Sequence, residues 1–442
     1  MDHFDFIEQI EQFRPNIEKL CGHVALPRMR LVRQSFPREE VADISALVRA
    51  ELDASGMRSR IAPDARIAVC VGSRGLAGLT ELVRATVDWV REAGGCPFVM
   101  PAMGSHGGAT SEGQAAMLAE LGVSPESVGA PVVSNLETRV IGAVRDVPVH
   151  LSTDILQSDG CILVCRVKPH TDFRGPYESG LMKMLAIGAG KHNGALAAHQ
   201  AGVGVFAELI PAIGSYITAH APILGGVASI ENAYYTIAGI RALPAETFLS
   251  DEPALLREAF RLMGKIWLDN LDVLMVDEIG KNYSGEGMDP NITGTFGTPY
   301  ASGGITAESR IVFRLSEATH GNAAGLGMAD FTTVSAFRGF DPVSSYTNAL
   351  TSRSSVTVRI PIVMPDEHSA VRMAIYKSVR QGALAEPRIV HIANTEHIEY
   401  IAVSEALWEE TENHDLLAFA GDPFSYACDQ QGTLSRVWPW LK

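Results

Sequence analysis

The stretch Ile67-Ala-Val-Cys-Val71-Gly72-Ser-Arg-Gly75 carries the pattern on which the fold prediction depends. Five apolar residues predict a buried strand, and the glycines after them predict a tight turn at its end. Residues 76–93 then carry leucine and valine at helical spacing. A second strand over 98–100 leads into another glycine-rich loop and a helix over 115–121. The repeated order of strand, glycine loop and helix predicts an α/β protein with parallel strands.

The chain of 442 residues is longer than one simple core requires, so two α/β domains are predicted. A third buried strand covers 161–167. The order of strand and glycine-rich loop then recurs, with an apolar run that begins at Leu271 and a glycine-rich loop over 280–294. We assign residues 1–270 and 415–442 to an N-terminal catalytic and cofactor-binding domain. Residues 271–414 form a predicted C-terminal α/β domain that closes over a substrate, with the active-site cleft between the two.

Charge and composition narrow the class of protein. The net charge of −15, without a basic tail, argues against a nucleic-acid partner but is compatible with a small anionic ligand. No secretory signal and no uninterrupted apolar run of membrane-spanning length is evident, so no membrane partner is expected. The six cysteines contain no Cys-x-x-Cys pair, which favours reduced thiols in a cytoplasmic protein. The sequence leaves the oligomeric state open.

One lysine and three histidines carry the functional prediction. Lys183 lies in the apolar stretch 180–188, where a buried ammonium is costly unless it is paired, neutralised or covalently used. His199 follows on an alanine-rich segment. Alone, His199 fits an exposed helical position equally well, and Lys183 can extend out of its segment toward water. Lys183 and His199 support a functional prediction only in combination with His106 and His170.

The other two histidines lie in loops that follow predicted strands. Gly104 and Gly107 flank His106 and allow the main chain to approach a ligand closely. His170 follows a proline, and Arg74 follows the first predicted strand. Because ligands of open α/β sheets bind beyond the carboxyl ends of the strands, these residues are predicted to share one site.

Several common sites are not supported by the sequence. The histidines show no His-Glu-x-x-His spacing for zinc, and no Gly-x-Gly-x-x-Gly, phosphate-loop or Gly-x-Ser-x-Gly pattern occurs. A histidine-metal hydrolase, or another nucleotide-dependent enzyme on a related scaffold, remains an alternative. A non-catalytic anion-binding protein is the third possibility.

Taken together, the motifs resemble those of the nickel-dependent lactate racemase family. Gly104-Ser-His106-Gly-Gly-Ala-Thr110 resembles the family loop Gly-Thr-His-Arg-Pro-x-Thr. Further along, Pro169-His170, Glu178-Ser-Gly-Leu-Met-Lys183 and Ala198-His199 resemble the family series Pro-His, Ser-Gly-Gly-x-Lys and Asn-His. The segment between His170 and Lys183 is a few residues longer than in the family pattern.

The resemblance implies a racemase or epimerase that inverts the carbinol carbon of a 2-hydroxy acid. The implied cofactor is the nickel-pincer nucleotide, pyridinium-3,5-bisthiocarboxylic acid mononucleotide with nickel, which accepts the hydride at its pyridinium carbon. By resemblance, His106 and His170 are the acid/base pair, Lys183 holds the cofactor through a thioamide, and His199 completes the nickel coordination. Arg74 would pair with the substrate carboxylate. The residues expected to border the cofactor are Ser179, Gly180, Gly104 and Gly107.

Departures from the family pattern concern the substrate. Asn291-Ile-Thr-Gly-Thr-Phe-Gly297 stands where the family has Asn-Ile-Tyr-Gln-Thr-Val-Lys. We expect Lys281, Asn291 and Thr293 to contact the substrate. Gly294 and Gly297 replace long polar side chains, and we expect them to leave room for an acid larger than lactate, such as a sugar acid.

Overall fold

The computed structural model describes residues 3–73, 75–352 and 354–441. Arg74, the predicted partner of the substrate carboxylate, lies outside the described residues. The chain divides into two compact units, which we call the central unit, Pro37–Met263, and the terminal unit, Met1–Phe36 with Gly264–Lys442. Both units contain a sheet with parallel strands joined by helices, and the predicted α/β class is confirmed.

The β-strands of the described residues are, in chain order, β1 Met29–Gln34, β2 Arg66–Val71, β3 Cys96–Pro101, β4 Thr138–Val144, β5 Val147–Ser152, β6 Gly160–Arg166, β7 Ile223–Glu231, β8 Ile237–Pro244, β9 Leu271–Ile279, β10 Ala307–Leu315, β11 Phe331–Thr333, β12 Ile362–Met364, β13 Ile389–Ile392, β14 Tyr400–Ser404 and β15 Leu417–Phe419.

The α-helices of the same residues are α1 His3–Gln12, α2 Arg14–Cys21, α3 Ile44–Ala54, α4 Leu79–Glu92, α5 Ser111–Glu120, α6 Pro125–Val128, α7 Thr153–Leu156, α8 Leu181–Lys183, α9 Lys191–Ala201, α10 Phe206–His220, α11 Phe248–Leu262, α12 Pro290–Thr293, α13 Val334–Arg338, α14 Pro342–Ser352, α15 Glu367–Lys377 and α16 Trp408–Glu412. A π-helical turn, Met184–Gly188, follows α8 directly.

The central unit is built on a five-stranded sheet with the order β3-β2-β6-β7-β8. The first four strands are parallel and β8 is antiparallel at the edge. Because β2, β3 and β6 are parallel neighbours, their carboxyl ends lie at one edge of the sheet. The loops that begin at Gly72, Ala102 and Val167 therefore start side by side.

The terminal unit contains an eight-stranded sheet with the order β12-β11-β10-β9-β13-β14-β1-β15. Strands β12, β11, β10, β9 and β13 are parallel, whereas β14, β1 and β15 join through antiparallel pairs.

This sheet changes the predicted domain boundaries at both chain ends. Strand β1 pairs with β14 and with β15, so the start of the chain and its C-terminal tail complete the sheet of the terminal unit. Residues 1–36 and 415–442 were predicted to belong with the first domain. Antiparallel pairing with β14 places them in the unit of residues 264–442 instead.

Side-chain caps define the starts of two helices in the central unit. Helix α3 begins at Ile44, because the Asp43 side chain accepts the Ala46 N–H and caps it there. Helix α5 is capped by Thr110, whose side chain accepts the Gly113 N–H. Helix α11 runs Phe248–Leu262, and Pro253 lies within it.

The stretch Val203–His220, which includes α10, is long and apolar enough by composition to cross a membrane. Its residues Phe206, Ile210, Ile213 and Ile217 are buried in the core of the central unit, as in the core helix of a globular domain.

Candidate functional site

A cavity of about 200 Å³ lies in the central unit, at the edge of the sheet where β2, β3 and β6 end. It brings together four of the predicted site residues, namely His106, Ser179, Gly180 and Lys183. The remaining lining residues are mainly apolar or glycine: Gly72, Ser73, Leu76, Leu79, Ala102, Met103, Val164, Cys165, Arg166, Met184, Ile187 and Gly188. The predicted residues Gly104, Gly107, His170 and His199 are not among them.

The loop after β3 fixes His106 through its own main chain. The Met103 carbonyl lies 3.1 Å from the main-chain nitrogen of His106 and 2.8 Å from its Nδ1. The buried amide of Gln114 donates to the Gly104 carbonyl at 2.9 Å and to the His106 carbonyl at 3.3 Å. These contacts hold an exposed imidazole in one orientation at the cavity.

Glycine at position 107 is explained by packing and backbone conformation. Its φ of +65° lies in the left-handed region, and a Cβ there would lie 2.6 Å from the main-chain nitrogen of Gln114. Gly107 therefore lets the loop turn tightly against the start of α5. Cofactor contact, predicted for Gly104 and Gly107, stays a prediction.

The loop after β6 holds His170. Its main-chain N–H donates to Glu178 Oε2 at 2.7 Å, and its Nδ1 accepts the Asp172 N–H at 3.0 Å. The ring lies against the buried Phe173, with 4.6 Å between ring centroids. The loop is closed where the Lys168 N–H donates to the Ser179 carbonyl, so His170 belongs to a segment that begins and ends next to the cavity.

Glu178 is central to this loop and was not singled out from the sequence. Its side chain is 2% exposed, and burial raises the pKa of its carboxyl. Besides the His170 N–H, the carboxylate accepts the Gly175 N–H at 3.2 Å and Arg174 Nη1 at 3.3 Å. The visible signal was an acidic residue in the Glu-Ser-Gly motif, but its partners depend on a loop whose shape the sequence does not show.

Lys183 lies at the end of α8, half-buried, and lines the cavity. The π-helical turn Met184–Gly188 follows directly, and such turns occur frequently at functional sites. Gly188 lets this turn pack against β3, because a Cβ there would lie 2.5 Å from the Ala102 carbonyl oxygen.

A second buried carboxyl, Glu252 of α11, supports the Lys183 helix. Its Oε2 accepts the Met182 N–H at 3.0 Å and so satisfies one of the open donors at the start of α8. Burial raises the pKa of Glu252 to about 7. A Cβ at Gly180 would lie 2.2 Å from Glu252 Oε1, which explains the glycine before the helix.

Lys191 is a buried cation behind the cavity wall. Its side chain is fully buried, and Nζ donates to the Pro101 carbonyl at 2.5 Å. Burial lowers the pKa of its ammonium to about 8. This bond joins the end of β3 to the first residue of α9. Nothing in the local sequence around Lys191 marks it as buried.

Arg166 is a positively charged residue that lines the cavity. It forms a salt bridge with Glu231, whose other oxygen accepts the Ala77 N–H at 2.8 Å. An arginine at the carboxyl end of a strand is a recognisable signal for an anion site. From the sequence, Arg74 and Lys281 were the predicted basic partners of the substrate, and Arg166 was not among them.

His199 lies on α9, outside the cavity lining. Its ring is 5.3 Å from that of Phe206, Phe206 is 5.6 Å from Phe173, and Phe173 contacts His170. An aromatic chain therefore connects the two histidines, and the metal-ligand role of His199 stays a prediction.

The predicted substrate residues Lys281, Asn291 and Thr293 lie in the terminal unit, where each donates a hydrogen bond to a residue close by in the sequence. Lys281 Nζ donates to the Gly285 carbonyl at 2.5 Å, and the Asn291 amide donates to Asp289 Oδ1 at 2.9 Å. The Thr293 hydroxyl donates to the Asp289 carbonyl at 3.4 Å, and its side chain is fully buried. Substrate contact by these three residues stays a prediction.

The room expected beside Gly294 and Gly297 is filled in the structure. A Cβ at Gly294 would lie 1.7 Å from the Ile305 carbonyl oxygen, and this glycine ends α12 with a φ of +72°. A Cβ at Gly297 would lie 2.7 Å from Thr357 Cγ2. Both glycines are thus required by close packing, and the expected extra substrate space is wrong at these positions.

Within the described ranges, no group of three or more histidine, cysteine, aspartate or glutamate side chains is arranged to hold a metal ion. A protein-only metal centre, as the alternative of a histidine-metal hydrolase requires, therefore finds no support in that part of the chain. A metal held mainly by an organic cofactor needs fewer protein ligands.

No protein-family model and no curated protein matches this chain. Among solved structures, the lactate racemase apoprotein from Thermoanaerobacterium thermosaccharolyticum is similar to it, with a TM-score of 0.47 and 10% sequence identity, over 83% of this chain and 89% of that chain. At this level of identity, roles of individual residues do not transfer from one chain to the other.

Proposed function

We propose that the protein is a racemase or epimerase that inverts the carbinol carbon of a 2-hydroxy acid, with a nickel-pincer nucleotide held on Lys183. The observation that supports this most strongly is the cavity at the strand ends, where Lys183 and His106 occur together. A lysine amine in a largely apolar cavity beside an imidazole suits covalent cofactor attachment next to a proton carrier. The motifs over 104–110 and 169–199 add the resemblance to lactate racemases.

The residues of the cavity fit the cofactor ring. A cavity of about 150 Å³ holds a benzene-sized ring, and this cavity measures about 200 Å³. A Cβ at Gly72 would meet nothing within 4 Å, so there is open space beside the main chain at the end of β2. By volume, a substituted pyridinium ring would fit this cavity. When bound, that ring supplies the acceptor for the hydride that leaves the carbinol carbon.

The chain's own residues handle the substrate and its protons. Lys183 holds the cofactor through its amine, and His199 supplies a nickel ligand. His106 and His170 act on the hydroxyl group of the substrate, whose proton must be removed and returned. Arg74 binds the carboxylate by charge-assisted hydrogen bonds. Arg166, which is paired with Glu231, lines the cavity. The apolar lining limits water around the reacting carbon.

The substrate class of the proposal is a small 2-hydroxy acid. A sugar acid remains one member of the class, but the packing at Gly294 and Gly297 no longer favours it over lactate. We place the protein in the cytoplasm, acting on a small molecule without a nucleic-acid or membrane partner, in line with its net charge of −15.

The test is stereochemical inversion by holoenzyme made in a host that supplies the cofactor pathway. Single stereoisomers of 2-hydroxy acids, including lactate and several sugar acids, are incubated with the enzyme and separated by chiral chromatography. We expect the opposite configuration to appear from a member of this panel. Protein that carries the cofactor on Lys183 but inverts none of the acids would overturn the proposed reaction.

His106→Ala and His170→Ala should each keep the cofactor and lose at least about 100-fold in turnover, as expected when a group that accepts the hydroxyl proton or hydrogen-bonds to the substrate oxygen is removed. Cofactor content by mass and inversion rate are measured on the same preparations. Turnover within a few-fold of wild type in either variant would remove that histidine from the reaction.

A further inference from the structure

The hydrogen bonds of His106 assign its tautomer. Its Nδ1 lies 2.8 Å from the Met103 carbonyl oxygen, and a carbonyl oxygen only accepts. Nδ1 must therefore carry the proton that it donates. A neutral imidazole has one N–H, so the lone pair of His106 is on Nε2.

The hydrogen bonds of His170 assign the opposite tautomer. The donor is the main-chain N–H of Asp172, which lies 3.0 Å from Nδ1. Nδ1 must accept, so the proton of the neutral ring is on Nε2. The Asp172 carboxylate is 3.9 Å from Nδ1, beyond hydrogen-bond distance, and does not replace the amide as its partner.

The Glu178 carboxylate holds the main chain that makes this second contact. It accepts N–H groups from His170 and Gly175 and a guanidinium N–H from Arg174. Arg174 Nη1 also donates to the His170 carbonyl at 2.7 Å. These bonds fix the loop on both sides of Asp172, and with it the amide that faces Nδ1.

We infer that the two histidines have different roles in the proposed reaction, on which this inference rests. His106 is the acceptor of the hydroxyl proton through Nε2. His170 is a hydrogen-bond donor to the substrate through Nε2–H, and Glu178 is the positioning residue that keeps it so. For His170 to accept a proton at Nε2, the ring must move its proton to Nδ1 and lose the bond from Asp172.

The protonation states are measured directly on the cofactor-free protein. Protein labelled with ¹⁵N-histidine is studied by long-range ¹H–¹⁵N correlation about two pH units above the ordinary imidazole pKa of ~6.5. The signals are assigned by their loss in His106→Gln and His170→Gln. We expect a protonated Nδ1 on His106 and a protonated Nε2 on His170. A protonated Nε2 on His106, or a protonated Nδ1 on His170, would overturn the assignment.

The role of Glu178 is tested with Glu178→Gln. An amide has one oxygen to accept and an NH₂ group that opposes one of the two main-chain N–H donors, so the loop loses at least one bond. We expect the His170 signals to shift toward a mixture of tautomers while those of His106 stay unchanged. Glu252→Gln is the matched control, because Glu252 is an equally buried glutamate that accepts main-chain N–H groups of α8, including that of Met182. An unchanged His170 tautomer in Glu178→Gln would contradict the positioning role.

The difference in roles is tested with glutamine at both histidines of the holoenzyme. Glutamine keeps an N–H donor near the position of Nε2 but cannot take up a proton at neutral pH. His170→Gln should therefore retain at least about ten times the turnover of His106→Gln. Equal loss in the two variants would contradict the division of roles. The NMR measurement on cofactor-free protein is independent of the proposed reaction. The tautomer assignment and the proposed reaction can therefore fail separately.

Discussion

His199 is the predicted site residue whose surroundings say least about its role. Its ring contacts Phe206 on the side that leads to Phe173, and it is not among the cavity-lining residues. His199→Ala should keep the organic adduct on Lys183 and lose most of its nickel, because one ligand of the metal is removed. Nickel per adduct is measured by elemental analysis of the purified protein.

His192→Ala is the matched control for this substitution. His192 is an exposed histidine on the same helix, α9, and should leave the nickel content unchanged. Equal nickel in His199→Ala and in the wild type would refute the ligand role.

Individual site residues differ in how far the sequence reveals them. Lys183 and His106 were visible because a lysine among apolar residues and a histidine among glycines are locally unusual. Glu178 and Glu252 were not, because their roles come from N–H groups that the fold brings to their carboxylates. Lys191 was missed for the same reason, since its burial depends on the end of β3.

At the scale of elements, the short helix that carries Lys183 depends on the buried carboxyl of Glu252. The pKa of this group is raised by burial from 4.5 to about 7. Below the ordinary value, the group is neutral in both states. As the pH rises from 4.5 toward 7, this carboxyl ionises in the unfolded chain but stays protonated in the folded protein. The free energy of unfolding therefore falls over this range.

Glu252→Gln should therefore flatten the pH dependence of stability. Between about pH 5 and pH 8, the wild type should lose on the order of 3 kcal/mol more in free energy of unfolding than the variant. Urea unfolding at both pH values measures the difference. Other buried carboxyls, such as Glu178, titrate in both proteins and cancel in the comparison. The same pH dependence in both proteins would contradict the assignment to Glu252.

Elements were easier to predict than their ends. The apolar run 67–71 corresponds to β2, Arg66–Val71, because a buried parallel strand needs continuous apolar residues. Helix α3 starts at Ile44, because the preceding residue, Asp43, supplies the cap. The π-helical turn after Lys183 was not predicted, and its close packing at Gly188 involves Ala102, which is distant in the sequence.

At the scale of the whole molecule, the C-terminal tail belongs to the terminal unit through a buried cluster of polar and aromatic groups. The Trp438 indole N–H donates to Asp277 at 2.5 Å, and Asp277 also lies 3.0 Å from Nε2 of the buried His391. Arg436 connects Asp277 with Glu367. Such pairings, which span from 69 to 161 residues, leave no local signal in the sequence, which is why the tail was assigned to the other domain.

Trp438→Ala should destabilise the protein by about 3–5 kcal/mol, because a buried ring is removed and Asp277 loses a donor. Trp440→Ala is the control, since that neighbouring ring is 48% exposed, and its effect should stay within about 1 kcal/mol. Chemical denaturation, followed by circular dichroism, measures both. Equal effects of the two substitutions would contradict the docking of the tail through Trp438.

The covalent attachment on Lys183 is the central claim, and intact mass tests it most directly. Wild-type protein, Lys183→Ala and the control Lys168→Ala are each made in a host that supplies the cofactor pathway. We predict a nucleotide-sized mass increase on wild-type and Lys168→Ala protein, mapped by peptide sequencing to Lys183, and the bare chain mass for Lys183→Ala. An undiminished adduct on Lys183→Ala, or wild-type protein of bare mass under these conditions, would contradict the account.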